Sequence, residues 1–571
     1  MRATISIVLL VLLAACPGAG EVAPPTPPQP ATEPVTISIV GTTDVHGHLE
    51  ALPVFGGYVQ RLRDQRAEDG GVVLVDAGDL FQGTLASNLN QGQAVIAAYG
   101  AIGYDAVAIG NHEFDFGPEG PAPTPQDPDD DPRGALKARA AEASFPLLAA
   151  NLAEEGGGRV AWENTPATTT VEVEGVRVGI IGVTTTSTPF TTIATNFEGL
   201  EVWPLLSTVR DRARELREEG AALVVVAAHA GGRCFEFDDP DDLSSCDKDH
   251  EIFELARELP PDLVDVIVAG HTHSGVAHRK NGIAIVQAYA NGAAFARVDV
   301  EVRPDTGDVL GVEIFPPQVM CEDEEGARRP AHECEEHRYE GEPIAPDADV
   351  AAIVAEAEAV AEALRSRALG VTLTEPIERA YASESALGNL FADLMREAAS
   401  EADVAVTNGG GLRADLPAGE LTYGALHRAT PFDNQFSLVS LRGEHLAELI
   451  RRNLGQSRGI LVLSGVKAEA RCESGDLAVK LRRADGTPIA ADDELVVATS
   501  DFLAPGGGRG TFGRLDLPAD AFRVGEGGVI RDAMAERLEA RGGELAPGPY
   551  YDPDRPRLAY PGRRPVQCEA E

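Results

Sequence analysis

Aromatic side chains are scarce in this sequence. They make up 5% of 571 residues, with two tryptophans, so Ala, Val, Leu and Gly must fill most of any core. Basic residues are scarce as well: 48 Lys and Arg stand against 91 Asp and Glu, a formal charge of −43. A surface this acidic repels phosphodiester backbones, which argues against a nucleic-acid partner. A small anionic ligand is not excluded, because metal ions and a few arginines can reverse the potential locally. Zinc-type Cys-x-x-Cys pairs are missing. The apolar run Ile5–Ala15 is too short to span a bilayer. What is present is ordinary apolar content, 43%, on a chain too long for one compact core. At least two folded units are expected.

The first residues read as an export signal. Arg2 supplies positive charge, Ile5–Ala15 the apolar run, and Leu13-Ala14-Ala15-Cys16 resembles the bacterial lipobox. That resemblance implies cleavage before Cys16, lipidation of its thiol and a membrane partner through the anchor. The expected location is the periplasm or the cell surface. Residues 17–34, rich in Pro, Ala and Gly, read as a flexible tether. Six further cysteines, Cys234, Cys246, Cys321, Cys334, Cys472 and Cys568, point to three disulfides in an exported chain. The close pairs 234/246 and 321/334 would leave Cys472 with Cys568, although sequence alone leaves other pairings open.

Residues 35–316 alternate short β-branched runs with amphipathic stretches, the pattern of an α/β fold with stacked or central sheets. The runs include Val35–Val40, Val72–Val75, Ala106–Ile109, Val176–Val183, Leu223–Ala228 and Val264–Ala269. Five of the expected strand ends carry metal-type donors, and ligand sites of open α/β sheets gather at the carboxyl ends of strands. Residues 118–133, rich in Pro and Asp, read as an exposed insertion. Residues 317–370 read as a linker with a connector helix from Asp347 to about Ser366. Its apolar stripe is Val350, Ile353, Val354, Ala357, Val360 and Leu364. Residues 371–562 form a second unit, with a buried helix beginning near Gly388 and strands at Asp403–Thr407, Phe436–Leu441 and Leu495–Thr499; 563–571 is a tail.

Asp44 and His46 lie two residues apart, so on a strand end both face the same side. Asp79 follows a second strand, and a carboxylate can bridge two cations. Asn111 offers a neutral oxygen; His229, His271 and His273 offer imidazoles. Mixed N and O donors suit borderline divalent ions of the Zn, Mn, Fe or Co type better than calcium.

Asp44-x-His46, Gly78-Asp79, Gly110-Asn-His-Glu113, His229 and Gly270-His-Thr-His273 resemble, in order, the calcineurin-like metallophosphoesterases. The longer run Gly110–Gly117 resembles the 5′-nucleotidase branch. Asn408-Gly-Gly-Gly-Leu-Arg413, Leu421-Thr-Tyr423, Pro431-Phe-Asp-Asn434 and Asp501-Phe-Leu-Ala-Pro-Gly-Gly507 resemble the 5′-nucleotidase C-terminal domain. The resemblance implies a four-layer α/β/β/α sandwich followed by a second α/β domain that binds substrate. It implies that one metal ion takes Asp44, His46 and His273, and that the other takes Asn111, His229 and His271, with Asp79 bridging. It gives His112 a catalytic role at the phosphate, with Asp115 orienting it. Arg413 would grip phosphate, Phe432 and Phe502 would sandwich a base, and Asn408 would bond the nucleoside. His48 reads as structural.

Two departures stand out. Ser383 and Asn389 occupy positions where the family commonly has arginine, with Arg379 as a candidate substitute. The family often has an Asp for the ribose hydroxyls after its second stacking Phe. Here Gly506-Gly-Gly-Arg509-Gly510 has none, and a cationic Arg509 cannot accept O–H bonds. The expected activity is metal-dependent hydrolysis of nucleotides: nucleoside 5′-monophosphates first, then UDP-sugars or nucleoside di- and triphosphates. Competing readings are a 2′,3′-cyclic nucleotide phosphodiesterase with 3′-nucleotidase activity, a sulfur-oxidising thiohydrolase, and a non-catalytic surface binding protein on the same scaffold.

Overall fold

The structure, a computed structural model, describes residues 33–504 and 511–568. Cys16 and Arg509 lie outside them. Two six-membered strand paths stack face to face in the first unit. One runs Val309–Ile314, Ala294–Val302, Val35–Thr42, Gly70–Asp76, Ala106–Ala108, Leu147–Leu148, with Gln318–Val319 added beside Ala294–Val302. The other runs Gly275–Lys280, Ile283–Ala288, Val266–Ala269, Leu223–His229, Val176–Thr184, Thr168–Val173. The central strands of each pair in parallel. Parallel strands are covered on both faces, so their sequences are nearly unbroken apolar runs. Ile37, Val73, Val178, Val225 and Val268 meet in the layer between the sheets. Helices Leu52–Arg66 and Gln93–Ile102 cover the first sheet; Leu205–Glu218 and Glu251–Glu258 cover the second. This is the four-layer α/β/β/α arrangement.

The connector helix spans Ala348–Arg365. Asp347 caps it, its carboxylate accepting from the N–H groups of Asp349 and Val350 at 2.9 and 3.0 Å. Val350, Val354, Ala357 and Ala361 form its buried face. Val360, expected in that stripe, is 57% exposed. At 3.6 residues per turn the fourth contact after Ala357 falls on Ala361, and the small side chain takes the packing position. The helix lies against the first unit's helices and joins one apolar cluster that continues into the second unit through Leu369, Leu390 and Leu426. Its approach explains an otherwise costly pair of glycines inside helix Leu52–Arg66. A Cβ on Gly57 would stand 2.2 Å from the carbonyl oxygen of Ala345, and Asp347 N–H donates to Pro53 O at 2.7 Å.

The second unit is built on a five-stranded sheet in the order Leu461–Ser464, Val404–Asn408, Glu494–Ser500, Gln435–Arg442, Phe522–Val529. Helix Ala386–Ala398 is buried against it, with Ser385 Oγ accepting from Gly388 N–H at 3.2 Å. The disulfides are Cys234–Cys246, Cys321–Cys334 and Cys472–Cys568, the pairing the spacing favours. Half of the 118–133 segment is exposed, and the segment is anchored. Thr124 is buried, and its hydroxyl accepts from Gln435 Nε2 of the second unit at 2.9 Å. Gly57→Ala forces the connector away from its supporting helix and should cost about 1–3 kcal/mol. A denaturant midpoint equal to wild type would show that the contact is not tight.

Candidate metal centre and the wall above it

All seven expected ligands sit at the carboxyl ends of strands from both sheets. Asp44 and His46 follow Val35–Thr42, Asp79 follows Gly70–Asp76, and Asn111 follows Ala106–Ala108. His229 ends Leu223–His229, and His271 and His273 follow Val266–Ala269. Donor atoms of Asp44, His46 and His273 lie within 4.8 Å of one another, and so do those of Asp79, His229 and His271. Asn111 joins the second set, its Oδ1 2.9 Å from His229 Nε2. Asp79 Oδ2 is 3.1 Å from His229 Nε2 and 3.9 Å from His46 Nε2, so one carboxylate faces both sets. Nitrogen and carboxylate donors in two converging sets fit a pair of borderline divalent ions.

Five of these residues adopt left-handed backbone: Asp44 (φ 50°), His46 (50°), Asp79 (62°), His271 (75°) and His273 (53°). Each costs roughly 1 kcal/mol or more for a residue with a Cβ. Hydrogen bonds between the ligand loops hold them there. Asp44 N–H donates to Gly78 O and His46 N–H to Asp79 O, both at 2.9 Å. His271 N–H reaches both Asp44 carboxylate oxygens at 3.0 Å. Ring orientation is set the same way. His46 Nδ1 contacts Gln82 O and His229 Nδ1 contacts Ala77 O, each at 2.9 Å, which turns both Nε2 atoms inward. Asn111 Nδ2 donates to Thr191 O at 2.9 Å, so its oxygen faces the site.

The electrostatics of the bare ligand set follow from burial and proximity. Burial, with His273 nearby, pushes His46 down to about 3, and burial with His229 pushes His271 down to about 4. Both rings are neutral donors. Burial opposes charge on His229 too, but Asp79 overcomes it and lifts that ring to about 10. Asp79 is held well below the usual carboxylate range: burial opposes its charge, and His229 and His112 outweigh burial.

His112 lies beside this centre. Its N–H donates to Asp79 Oδ1 at 2.8 Å, and its Nδ1 is 2.5 Å from Asp115 Oδ2. Asp115 is itself fixed by the Thr192 hydroxyl at 2.8 Å. Burial disfavours the imidazolium, yet Asp115 and Asp79 raise its pKa above the ordinary value. From the second unit, the Phe432 ring lies 5.7 Å from the His112 ring at 30°, and the Arg413 guanidinium lies 5.0 Å from the Phe432 ring centre. Pro431 O accepts from Gln82 Nε2 at 3.0 Å and from Asn88 Nδ2 at 3.1 Å, which ties this loop to the first unit. Arg379 lines the same cavity as Arg413, Phe432 and His273. Ser383 is exposed, whereas Asn389 is fully buried, its amide bonded to Glu384 and to Tyr550 O. Asn408 ends strand Val404–Asn408, just before the turn that carries Arg413, and is half-buried. Phe502 is half-buried against the second unit's own core and does not line this cavity. His48 does line it, paired with Glu50 at 2.7 Å.

Sequence reasoning left Glu113 without a role. Its carboxylate accepts from the N–H groups of Gly110 (2.6 Å), Leu80 (2.6 Å) and Asp79 (2.9 Å), and so fixes the turn that presents Asp79. Burial, then Asp79, raises its pKa to about 7. Glu113→Gln replaces an acceptor with a donor facing N–H groups. It should weaken divalent-metal affinity about 10–100-fold, and Asp79→Ala should abolish stoichiometric binding. Elemental analysis finding full metal occupancy in Asp79→Ala would contradict its shared placement.

Comparison with known proteins agrees with this architecture. Residues 37–275 match the calcineurin-like phosphoesterase family, and residues 366–514 match the 5′-nucleotidase C-terminal domain. The chain is 30% identical over 447 residues to endonuclease YhcR of Bacillus subtilis, covering 78% of this chain and 34% of that protein. It is 28% identical over 535 residues to cell wall protein Lmo0130 of Listeria monocytogenes, covering 84% and 65%. The chain thus spans between a third and two thirds of the length of these curated relatives. Its fold matches the crystal structure of a 5′-nucleotidase precursor from Thermus thermophilus, with a TM-score of 0.69 at 22% identity, covering 92% of this chain and all of that one. With both domains matched in order, the chain belongs to the 5′-nucleotidase family, in which a calcineurin-like metallophosphoesterase domain precedes a 5′-nucleotidase C-terminal domain.

Proposed function

We propose that this chain is a metal-dependent phosphoesterase that hydrolyses nucleotides, with nucleoside 5′-monophosphates as its first substrates and nucleoside and phosphate as products. The observation that carries this reading is the position of Asp79 between two ligand sets, with Arg413 and Phe432 directly above. Asp44, His46 and His273 would hold one divalent ion and Asn111, His229 and His271 another, with Asp79 shared, and such ions, of the Zn, Mn, Fe or Co type, would supply Lewis acidity to the phosphoryl group and the attacking water. The chain's own residues do the rest. Asp115 accepts from His112 Nδ1–H and favours the imidazolium, whose Nε2–H is then free to meet developing charge on the phosphoryl or leaving oxygen. Arg413 grips phosphate oxygens through paired N–H donors, and Arg379 takes the place of the arginine missing at Ser383. Phe432 offers a stacking face to the base, worth roughly 1–3 kcal/mol. Asn408 and Phe502 are the further nucleoside contacts that the family resemblance implies; Phe502 lies outside the lining of this cavity. The Gln82 and Asn88 bonds to Pro431 help keep water out while substrate is held.

A panel of AMP, UDP-glucose, 2′,3′-cyclic AMP, bis-p-nitrophenyl phosphate and a single-stranded oligonucleotide, assayed with added Mn or Zn, tests the substrate class. AMP is expected to lead. Preferred cleavage of the cyclic nucleotide would replace the leading reading with the 2′,3′-cyclic phosphodiesterase, and no hydrolysis of any member would sink the phosphoesterase. His112→Ala should keep both metals and lower kcat by roughly 10²–10⁴-fold; unchanged turnover removes His112 from the chemistry.

We also propose that the chain is exported and anchored through a lipid on Cys16. Three disulfides support an oxidising location. Metabolic labelling with palmitate should mark the full chain and fail to mark Cys16→Ser; equal labelling would rule out this anchor.

A further inference from the structure

The cavity between the two units is basic in an acidic protein. It encloses about 690 Å³, and Arg365, Arg379, Arg413 and Arg428 line it against only two carboxylates, Glu50 and Glu358. Both carboxylates are committed. Glu50 accepts from His48 Nδ1, and Glu358 is paired with Arg365, which also reaches Glu362 at 3.1 Å. Arg428, on the exposed side of this wall, forms no ion pair among the described residues, and partial burial together with the neighbouring Arg365 disfavours its charge. Beside it, His427 is 1% exposed, yet neither of its ring nitrogens has a hydrogen-bond partner. Buried polar groups are normally satisfied, so an imidazole orphaned on both sides at a cavity wall needs an explanation. Burial and the cations Arg531, Arg428 and Arg365 push its pKa down to about 2, so it is a neutral ring with one N–H to donate.

Packing holds this wall in place. His427 and Arg428 belong to helix Tyr423–Ala429, and Arg365 ends the connector helix. The two helices touch at Gly424, where a Cβ would lie 2.5 Å from Arg365 Cγ and 2.8 Å from its carbonyl oxygen. Arg413 and Arg379 stand on different segments, near the metal centre, and suffice for one phosphate there. Arg428 and the N–H of His427 remain, a partly solvated cation without an ion pair and a buried donor without a partner.

We propose that His427 and Arg428, backed by Arg365, form a second anion subsite that takes a phosphoryl group of the substrate other than the one hydrolysed at the metal centre. The substrate in this proposal rests on the phosphoesterase reading; the binding of the anion does not. The subsite extends the substrate range beyond the monophosphates to nucleotides with at least two separated phosphoryl groups, while AMP uses the metal-centre side of the cavity alone. An oxyanion at this wall accepts the His427 N–H, the buried donor without a partner, and pairs with Arg428.

The test compares wild type with Arg428→Ala and Arg428→Lys, at an exposed position. The substrates are ADP, ATP, adenosine 3′,5′-bisphosphate and diadenosine tetraphosphate, with AMP and p-nitrophenyl phosphate as references. Arg428→Ala should lower kcat/KM for at least one multiply phosphorylated substrate tenfold or more relative to AMP. The loss should appear in KM, and Lys should restore part of it. A change below twofold for every substrate, or an equal loss on AMP and p-nitrophenyl phosphate, overturns the subsite. A second arm measures calorimetric affinity for the same nucleotides and for inorganic phosphate in EDTA, without turnover. If the metal-loaded protein hydrolyses nothing, the phosphoesterase reading falls, and this arm alone decides. Tenfold weaker binding of a multiply phosphorylated nucleotide relative to AMP upholds the subsite; equal affinity refutes it. Loss of inorganic phosphate binding alone, with every nucleotide unaffected, also refutes it, because the wall then serves free phosphate.

Discussion

The position of one carboxylate, Asp79, governs the rest of the first unit. It faces His229 and His46 through the same oxygen and holds the His112 backbone through the other. Two buried imidazole sets brought this close cannot all carry charge: burial holds His46 and His271 low, while Asp79 holds His229 high. Divalent ions held by these residues would relieve the conflict, since each neutral imidazole would have a cation to bind. The strained backbone at five ligands belongs to the same constraint. Strand ends from two different sheets reach a common point only by turning sharply, and the crossed hydrogen bonds between loops hold those turns.

Stacked sheets fix where the donors point, while the second unit decides what can lie in front of them. Phe432 and Arg413 approach His112 from a loop whose position depends on Pro431 O and two amides of the first unit. In the proposed reaction the reacting group and the recognised group are thus held by different halves of the chain. Gln82 belongs to both arrangements: its carbonyl steadies His46 and its side chain meets Pro431.

The candidate donor cluster was legible in the sequence because each of its residues follows an apolar strand run and has a side chain with few other reasons to be there. The connector helix was legible from its period, and only Val360 was misplaced, since apolar character alone does not say which of two adjacent positions, 360 or 361, faces the core. Glu113, Gln82 and Thr124 were not legible. Each binds a group that only the fold brings near: Glu113 the N–H of Asp79, Gln82 a carbonyl 349 residues away, Thr124 an amide 311 residues away. The same holds for the free His427 ring, because a missing partner has no sequence signature. Phe502 matched a motif, yet its ring packs on its own unit's core.

None of the three cross-links joins the halves. Cys234–Cys246 lies in the first unit, Cys321–Cys334 in the segment leading to the connector, and Cys472–Cys568 closes a span of 96 residues within the second. The halves meet through one continuous peptide, the apolar cluster around the connector helix and hydrogen bonds such as that from Gln82 to Pro431 O. Covalent bracing is therefore local to each half, and packing alone holds the two together. Heat or denaturant can part the two bodies without breaking a sulfur bond, and each then keeps covalent bracing of its own for coming back together.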